Sequence, residues 1–298
     1  MTAGGEPLGL PQPWPAPGKL NLCLHIVGRR ADGYHELQSA FQFIDLCDEI
    51  RFWRRPAGVI ERLGDIPGVP QDDDLSVRAA RLLAQGRSPE SGVAIEVGKK
   101  LPMQGGVGGG SSDAATVLVG LNELWRLGLQ VDALAALGLQ LGADVPVFVR
   151  EQAAWAEGIG EILTPAAFPE RLYLLIRPDA AVGTAEIFKA PELTRDSPVI
   201  TIRGFLLDGG RNDCESVVRR RYPVVAEALD WLGRVGPAQL TGTGSCVFAA
   251  VPDEQTARAA LGRLPSRWQG WLVRGLNRSP LAERRAVEQR SRIADRGR

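Results

Sequence analysis

The sequence is poor in histidine and cysteine, and this scarcity argues against several kinds of site. Only two histidines, His25 and His35, occur in 298 residues, so a His-rich metal centre and a Ser-His-Asp triad are both poor expectations. The four cysteines lie far apart and form no C-x-x-C pair, which argues against a zinc ribbon and a disulfide framework. No H-E-x-x-H motif is present. The chain therefore offers no recognisable metal-ligand motif.

The sequence also has no excess of charge of either sign and no long apolar run. Its 35 basic and 35 acidic residues cancel to a formal zero, whereas nucleic acid or an anionic membrane normally requires a basic excess. No stretch approaches about 18 apolar residues, and the N-terminus lacks the pattern of a signal peptide. We therefore expect a cytoplasmic globular protein, a monomer or homodimer, without a nucleic-acid or membrane partner.

Lysine is rare as well. Of the 35 basic residues 31 are arginine, and the four lysines are Lys19, Lys99, Lys100 and Lys189. A compact ammonium and a planar guanidinium bind ligands differently, so an arginine-rich chain can keep lysine where that difference matters. The simpler explanation is a codon bias toward arginine that left four lysines by chance, and the residue counts alone favour it.

The spacing of apolar residues predicts alternating strands and helices. Apolar and polar side chains alternate from Leu20 to Val27, the period of a strand covered on one face. Leu75 opens a helical repeat behind the acidic residues Asp72–Asp74, which predicts an N-capped helix. The second half of the chain alternates strands and helices over 172–176, 223–232, 246–251, 254–264 and 268–273. This order predicts an α+β fold with one sheet face covered by helices.

We expect two domains between two poorly ordered ends. Residues 1–13 are rich in Gly and Pro and are predicted to be disordered. Residues 14–160 and 161–282 are the expected N-terminal and C-terminal domains. The last stretch, 283–298, carries three acidic residues against six arginines. Because it has few apolar anchors, we predict a basic, frayed tail.

The most unusual segment is the glycine-rich loop at residues 105–112. Five glycines occur among the six residues from Gly105 to Gly110, and two serines follow before an apolar repeat of helical spacing. Missing side chains let backbone N–H groups converge on an anion, and a helix N-terminus adds partial positive charge. A di- or triphosphate is the natural ligand, since a simple turn needs only one or two glycines. Ser111, Ser112 and Asp113 are the N-cap candidates.

Common phosphate-binding motifs do not describe this loop. Walker A requires lysine where Ser111 stands, the dinucleotide fingerprint requires glycine at that position, and the kinase motifs H-R-D and D-F-G are absent from the sequence. Two further segments accompany the loop: Pro15–Leu22 (P-A-P-G-K-L-N-L) and Leu240–Phe248 (L-T-G-T-G-S-C-V-F). Each alone is typical of a surface group or a turn, so only their combination is informative.

In this order the three segments resemble the three motifs of the GHMP kinase superfamily. Three more segments are similar to a branch of it that acts on a cytidine diphosphate-linked alcohol: Arg29–Gln38 (R-R-A-D-G-Y-H-E-L-Q), Leu141–Phe148 (L-G-A-D-V-P-V-F) and Ile187–Leu193 (I-F-K-A-P-E-L). The likeness covers nearly the whole chain. It implies an N-terminal domain like ribosomal S5 domain 2, a ferredoxin-like C-terminal domain, and an active site between them.

The resemblance implies phosphoryl transfer from ATP to the 2-hydroxyl of 4-diphosphocytidyl-2-C-methyl-D-erythritol, in the non-mevalonate isoprenoid pathway. By the same resemblance, Asp144 accepts the hydroxyl proton and Lys19 is its partner. An ammonium beside the carboxylate should keep Asp144 ionised and favour the developing alkoxide. Without the resemblance, a cap or turn before Pro146 is the more common role for such an Asp.

The resemblance also assigns the binding residues. The ATP-binding positions are the glycine loop and the residues leading into it: Lys99, Pro102, Met103, Gln104, Gly105, Gly106, Val107, Gly108, Gly109, Gly110, Ser111 and Ser112. The substrate-binding positions come from both domains: Asn21, Tyr34, His35, Asp144, Thr184, Phe188, Thr243 and Gly244. Tyr34, His35 and Phe188 are the expected cytidine site, where the flat base stacks between aromatic rings. Mg²⁺ is expected with ATP, and Ser111 or Ser112 is its candidate hydroxyl ligand.

Three other functions stay open at this point. Another GHMP kinase, acting on homoserine, mevalonate or a sugar, would share the loop without needing the aromatic pair Tyr34 and Phe188. A non-catalytic nucleotide-binding regulator would keep the loop, but the presence of Lys19 and Asp144 argues against it. A dinucleotide oxidoreductase would need the fingerprint that this loop lacks.

Overall fold

The computed structural model describes residues 5–296, and these contain ten strands joined in one sheet. The strands are β1 (Trp14–Arg29), β2 (His35–Arg55), β3 (Ile60–Leu63), β4 (Gly92–Gly98), β5 (Ala154–Glu157), β6 (Ile162–Pro165), β7 (Leu172–Arg177), β8 (Ala238–Leu240), β9 (Val247–Val251) and β10 (Gln269–Leu276). Residues 1–4 and 297–298, parts of the predicted disordered start and basic tail, lie outside the described residues.

Ten α-helices accompany these strands in the same part of the chain. They are α1 (Leu75–Ala84), α2 (Gly109–Leu124), α3 (Val131–Leu139), α4 (Val145–Arg150), α5 (Thr184–Lys189), α6 (Ile202–Asp208), α7 (Glu215–Arg221), α8 (Pro223–Leu232), α9 (Glu254–Leu261) and α10 (Pro280–Arg296). Among residues 5–296, no helix combines the length and apolarity needed to cross a bilayer.

The long strand β2 organises the sheet. It pairs antiparallel with β1, β4, β5 and β10, and the main path of the sheet runs β3-β4-β2-β10-β7-β9-β8. Only the end of β10 reaches β2, where Gly275 lies opposite Ile44 and Leu276 opposite Phe43. The two halves of the chain therefore meet along a short stretch of sheet.

Apolar side chains form four buried clusters, one in each half and two that join residues of both halves. The first core lies between the sheet and helices α1, α2 and α4, and the second lies under α5, α7, α8 and α9. We call the third cluster the seam because it joins the halves; its buried members are Leu20, Ile44, Leu101, Val107, Tyr173, Leu175, Cys246, Phe248 and Val273. Burial of such side chains is the main force holding the halves together.

Several local predictions are confirmed and one is wrong. The predicted strand 20–27 lies inside β1, and the Asp74 carboxylate caps α1 by accepting a 2.7 Å hydrogen bond from the Ser76 N–H. In α2, however, the N-cap is Gly108, with a φ of +74°, rather than a serine or Asp113. Glycine adopts this left-handed conformation without the strain a side chain would add, so the helix begins earlier than predicted.

Residues 5–13 and 283–296 are more ordered than composition indicated. Leu8 is buried, and its N–H donates to the Phe52 carbonyl at 2.9 Å, so the prediction of disorder is wrong for residues 5–13. The predicted frayed tail is instead helix α10. There the Arg284 guanidinium lies 4.3 Å from the Trp14 ring centroid and pairs with Glu288 at 3.0 Å. Charge counts missed this helix because its buried charges neutralise one another.

Candidate active site

A cleft of about 600 Å³ opens between the two halves of the chain. Its walls come from β1, β2, the glycine loop, the start of α4, helix α5 and the loop between β8 and β9. Every predicted site residue lines the cleft except four: Tyr34, His35, Ser112 and Gly244. The sequence motifs, far apart along the chain, therefore converge on one cavity.

Lys19 and Asp144 meet inside this cleft. The Lys19 Nζ lies 3.5 Å from the Asp144 carboxylate, and it also donates to the Asn21 Oδ1 at 2.5 Å and to the Gly106 carbonyl at 3.2 Å. Lys19 is 3% exposed, whereas the Asp144 side chain is 35% exposed. Asp144 occupies the N-cap position of α4, yet its side chain makes no capping hydrogen bond. The carboxylate is thus paired with Lys19 and open to the cleft.

The glycine loop is built for close contact with the β8–β9 loop. A Cβ at Gly105 would lie 2.5 Å from the Cys246 Sγ, and one at Gly106 would lie 2.2 Å from the Thr241 carbonyl oxygen. The Cys246 N–H donates to the Gly105 carbonyl at 3.1 Å. Packing between the two loops therefore requires glycine at 105 and 106. This requirement adds to the convergence of backbone N–H groups that the sequence suggested. Gln104 also has a positive φ, of +55°.

Lys99 belongs to a buried charge cluster that sequence reasoning missed. Its ammonium binds the Asp48 carboxylate and, at 2.8 Å, the Asp113 carboxylate. The other Asp48 oxygen accepts the Leu101 N–H at 2.7 Å. Burial alone would lower the pKa of Lys99, but Asp113 and Asp48 outweigh it and raise that pKa. The ammonium is therefore a fixed positive charge on the cleft wall beside the glycine loop.

Asp113 is the surplus carboxylate of this cluster. Burial raises its pKa to about 8; Lys99 opposes the shift and Asp48 adds to it. One ammonium neutralises one carboxylate, so the second keeps a proton near neutral pH. The Asp113 Oδ1 is buried without a hydrogen-bond partner among the described residues, which is consistent with this shortage of positive charge.

Replacing Asp113 with asparagine is expected to flatten the pH dependence of stability. The pKa in the folded state, about 8, lies above the ordinary 3.8, so the folded protein holds a proton that the unfolded chain releases. The stabilisation that this proton provides is complete below the ordinary pKa of 3.8. It is lost as the pH rises through the pKa of the folded state, about 8. Urea unfolding of the unaltered protein should show a fall on the order of 1 kcal/mol per pH unit between about pH 6 and pH 8.

The matched control is Asp253→Asn. Asp253 is an exposed N-cap of α9, a position where asparagine caps equally well, so this variant should keep the slope of the unaltered protein. An undiminished slope in Asp113→Asn would show that another group titrates.

The expected cytidine residues are only partly brought together. The rings of His35 and Phe188 lie with centroids 5.3 Å apart, but Tyr34 is 61% exposed in the turn before β2. Arg195 donates from Nε to the His35 Nε2 at 3.1 Å and from Nη2 to the Phe188 carbonyl at 3.2 Å. Burial lowers the pKa of His35, and the cations Arg195 and Arg29 lower it further. The ring is therefore neutral, with its proton on Nδ1.

Residues of the second half tie the β8–β9 loop to the site. The hydroxyls of Thr184 and Thr243 are 3.0 Å apart. Asn212, which the sequence did not single out, donates from Nδ2 to the carbonyls of Leu240 and Gly242 at 2.8 and 2.7 Å. Thr241 is a second missed residue, because its hydroxyl accepts the Asn21 N–H at 3.0 Å. These contacts give the loop a fixed position against β1.

The two candidate magnesium hydroxyls differ in position. Ser111 lines the cleft, whereas Ser112 is fully buried and its Oγ has no hydrogen-bond partner among the described residues. Within residues 5–296, no group of three or more His, Cys, Asp or Glu side chains is arranged to hold a metal ion. Ser111 is therefore the better placed of the two.

Two family models match the chain: the GHMP kinases N terminal domain over residues 74–152, and the GHMP kinases C terminal domain over residues 201–270. The chain belongs to the GHMP kinase family.

Within that family, relatives that match nearly the whole chain are named 4-diphosphocytidyl-2-C-methyl-D-erythritol kinase. The one from Halorhodospira halophila is 57% identical over 273 residues, covering 90% of this chain and 94% of the relative. The one from Nitrosococcus oceani is 56% identical over 270 residues, covering 91% and 96%. A crystal structure of 4-(cytidine 5'-diphospho)-2C-methyl-D-erythritol kinase matches with a TM-score of 0.76 and 31% identity, over 88% of this chain and 98% of that one.

Proposed function

We propose that this chain transfers the γ-phosphoryl group of ATP to the 2-hydroxyl of 4-diphosphocytidyl-2-C-methyl-D-erythritol, giving the 2-phosphate and ADP in the non-mevalonate isoprenoid pathway. The observation that carries the proposal is the pair of Lys19 and Asp144, 3.5 Å apart at the edge of the glycine loop. The names of the relatives supply the substrate.

In this proposal Asp144 takes the proton of the 2-hydroxyl while the hydroxyl oxygen attacks the γ-phosphorus. The bond between that phosphorus and the bridging oxygen of ADP breaks, and ADP leaves with the electron pair. The Lys19 ammonium offsets negative charge that develops on the attacking oxygen. The buried position of Lys19 strengthens this effect, because water screens the charge less there.

The cleft fits ATP with its phosphates at the glycine loop. The loop backbone passes directly into α2, whose N-terminus carries partial positive charge, and the Lys99 ammonium, paired with Asp48, lies on the cleft wall beside it. Mg²⁺ would neutralise phosphate charge. It usually takes few protein ligands and several from phosphates and water, so the Ser111 hydroxyl on the cleft wall fits that role. The predicted ATP-binding set, from Lys99 and Pro102 to Ser112, belongs to this proposal.

The cytidine end of the substrate would lie against Phe188 and His35. Their rings form one aromatic wall braced by Arg195. Tyr34, exposed at the tip of the preceding turn, is the proposed second face of the stack. Asn21, Thr184, Thr243 and Gly244 complete the proposed substrate set. A substrate without a base, such as homoserine or mevalonate, would leave this wall unused.

Replacing Phe188 with alanine is expected to raise KM for the cytidylyl alcohol about 5- to 150-fold, because a stacked base contributes roughly 1 to 3 kcal/mol. Tyr34→Ala should act in the same direction. The KM for ATP is the internal control and should change less than about twofold, since ATP binds at the opposite, glycine-loop end. If both variants keep the KM of the unaltered protein for the cytidylyl substrate, the substrate assignment is wrong.

The proposed function is tested by incubating the purified chain with ATP, Mg²⁺ and 4-diphosphocytidyl-2-C-methyl-D-erythritol. Phosphorus NMR should detect a new phosphate monoester formed in step with ADP. Homoserine, mevalonate and galactose, tested in parallel, should give no product. Turnover of one of these alcohols, with none of the cytidylyl substrate, would identify a different GHMP kinase; ATP binding without any turnover would indicate a regulator.

We further propose the finer fold assignments. The C-terminal half, residues 161–282, is proposed to be ferredoxin-like. Four of its five strands, β7 to β10, are ordered β10-β7-β9-β8, with α8 between β7 and β8 and α9 between β9 and β10; the fifth, β6, pairs with β5. Residues 14–160 are proposed as the domain like ribosomal S5 domain 2. We also propose a cytoplasmic location, where ATP is supplied. A monomer or homodimer without a nucleic-acid partner stays a prediction.

A further inference from the structure

A buried hydrogen-bond chain lies behind Lys19. The Asn21 Oδ1 accepts from the Lys19 ammonium, and the Asn21 Nδ2 donates to the Ser39 hydroxyl at 2.8 Å. Ser39 and Asn21 are each 2% exposed. Ser39 comes from β2 and was not among the residues that the motifs indicated. Its position behind Asn21 links a second strand to the reacting groups.

The Ser39 hydroxyl decides which way the Asn21 amide faces. Its single proton is donated to the Cys23 carbonyl at 2.6 Å, which leaves only lone pairs for other partners. Such an oxygen accepts the NH₂ group of Asn21 but offers nothing to its carbonyl. The amide oxygen is therefore directed at Lys19, whereas the opposite orientation would place N–H donors against an ammonium.

This orientation matters because it completes the surroundings of Lys19. The ammonium has three N–H donors, and three acceptors surround it: the Asn21 Oδ1, the Gly106 carbonyl and the Asp144 carboxylate. The Asn21 backbone N–H is held separately by Thr241. The Thr241 hydroxyl also lies 3.5 Å from the Asn21 Oδ1. Loss of the Ser39 hydroxyl would thus leave the Asn21 Nδ2 without this partner, while the backbone N–H stays held.

We propose that Ser39 is a positioning residue for the phosphoryl transfer: acting through Asn21, it holds the Lys19 ammonium beside Asp144. The inference rests on the proposed function, since it concerns how the same site is arranged for the reaction. A direct contact between Ser39 and a substrate is the alternative, because Ser39 also borders the cleft. The two roles differ in whether the effect of Ser39 depends on Asn21.

The test is a double-mutant cycle on the full chain, with kcat and KM measured for Ser39→Ala, Asn21→Ala, the double variant and the unaltered protein. We expect Ser39→Ala to lower kcat about tenfold with both KM values changed less than about twofold. In the Asn21→Ala background, the same change should alter kcat less than about twofold, because the group through which Ser39 acts is gone. Ser39→Thr, which keeps the hydroxyl, should recover at least about half of kcat.

The control is Ser279→Ala. Ser279 is 1% exposed and its Oγ accepts the Leu281 N–H at 3.2 Å, outside the cleft, so its loss should leave kcat unchanged. If Ser39→Ala does not fold, as judged by urea unfolding, Ser39→Cys carries the same test, since a thiol is a weak acceptor.

An equal fall in kcat in both backgrounds would overturn the inference and indicate direct contact; full activity of Ser39→Ala would overturn it as well. In either case the unaltered protein still phosphorylates the cytidylyl substrate. If the unaltered protein shows no turnover of the cytidylyl substrate, the proposed function itself fails, and the inference falls with it.

Discussion

Replacing Asp144 with asparagine is expected to lower kcat about 100- to 10,000-fold, the range that a positioned proton acceptor contributes. Asparagine has nearly the same shape but does not take the hydroxyl proton. The variant should fold normally, because the Asp144 side chain makes no capping hydrogen bond and is 35% exposed. ATP affinity, measured by calorimetric titration, should change less than about threefold, since the proposed phosphate site is the glycine loop.

The matched control is Asp132→Asn. Asp132 is in the first turn of α3, and its 80% exposed side chain pairs with Arg150 of α4 at 2.9 Å. Such a surface pair contributes roughly 0 to 1 kcal/mol, so activity should stay within about twofold of the unaltered protein. If Asp144→Asn keeps more than about a tenth of kcat, Asp144 is not the proton acceptor.

The second large effect is expected from Gly106→Ala. A Cβ there would lie 2.2 Å from the Thr241 carbonyl oxygen, and the φ of +74° is one that side chains rarely adopt. The loops would have to separate, which would move the Gly106 carbonyl that holds Lys19. We expect a loss of about 2 to 5 kcal/mol in the free energy of unfolding and a fall in kcat of about 100-fold or more.

Gly86→Ala separates the conformational strain from the clash. Gly86 also has a positive φ, of +67°, but no atom lies within 4 Å of its Cβ position. This variant should lose about 1 kcal/mol and keep full activity. Equal urea midpoints for the two variants would show that the two loops are not packed as described.

The residues of the cleft could be predicted from the sequence because they lie in short, distinctive motifs. Lys19, the glycine loop and Thr243 belong to segments with unusual composition, whereas Asp144 was indicated by the family resemblance alone. All of these positions except Ser112 line one cavity. The rarity of lysine was informative after all for two positions, since Lys19 and Lys99 both border that cavity. What each residue contributes to catalysis stays a prediction for the variants above.

The charge cluster around Lys99 could not be predicted in this way. Asp48 and Lys99 come together because Glu49 lies opposite Gly98 in the pairing of β2 with β4, and strand register is a non-local property. Asp113 belongs to the glycine-loop motif. A carboxylate that follows two serines at the start of a helix is nevertheless typical of a helix N-cap, so the sequence alone favours that role. Only the left-handed Gly108 shows that the cap lies elsewhere.

The ends of the chain escaped prediction for a related reason. Composition measures how many charged residues a segment has, not whether they meet partners. In α10 the Glu288 carboxylate binds both Arg284 and, at 3.4 Å, Arg292. Arginine side chains also cover apolar surface with their stems, so a segment with few apolar residues still packs on the core.

Val107 belongs both to the seam between the halves and to the wall of the cleft. A molecule that spans the cleft therefore bridges the two lobes, and its binding energy adds to the cohesion that the apolar clusters between them supply. Such a molecule should raise the melting temperature of the whole protein in one cooperative step. A small ligand that contacts a single lobe should protect only that lobe from amide hydrogen exchange. Melting temperatures and exchange data together would therefore show whether a given ligand binds one lobe or both.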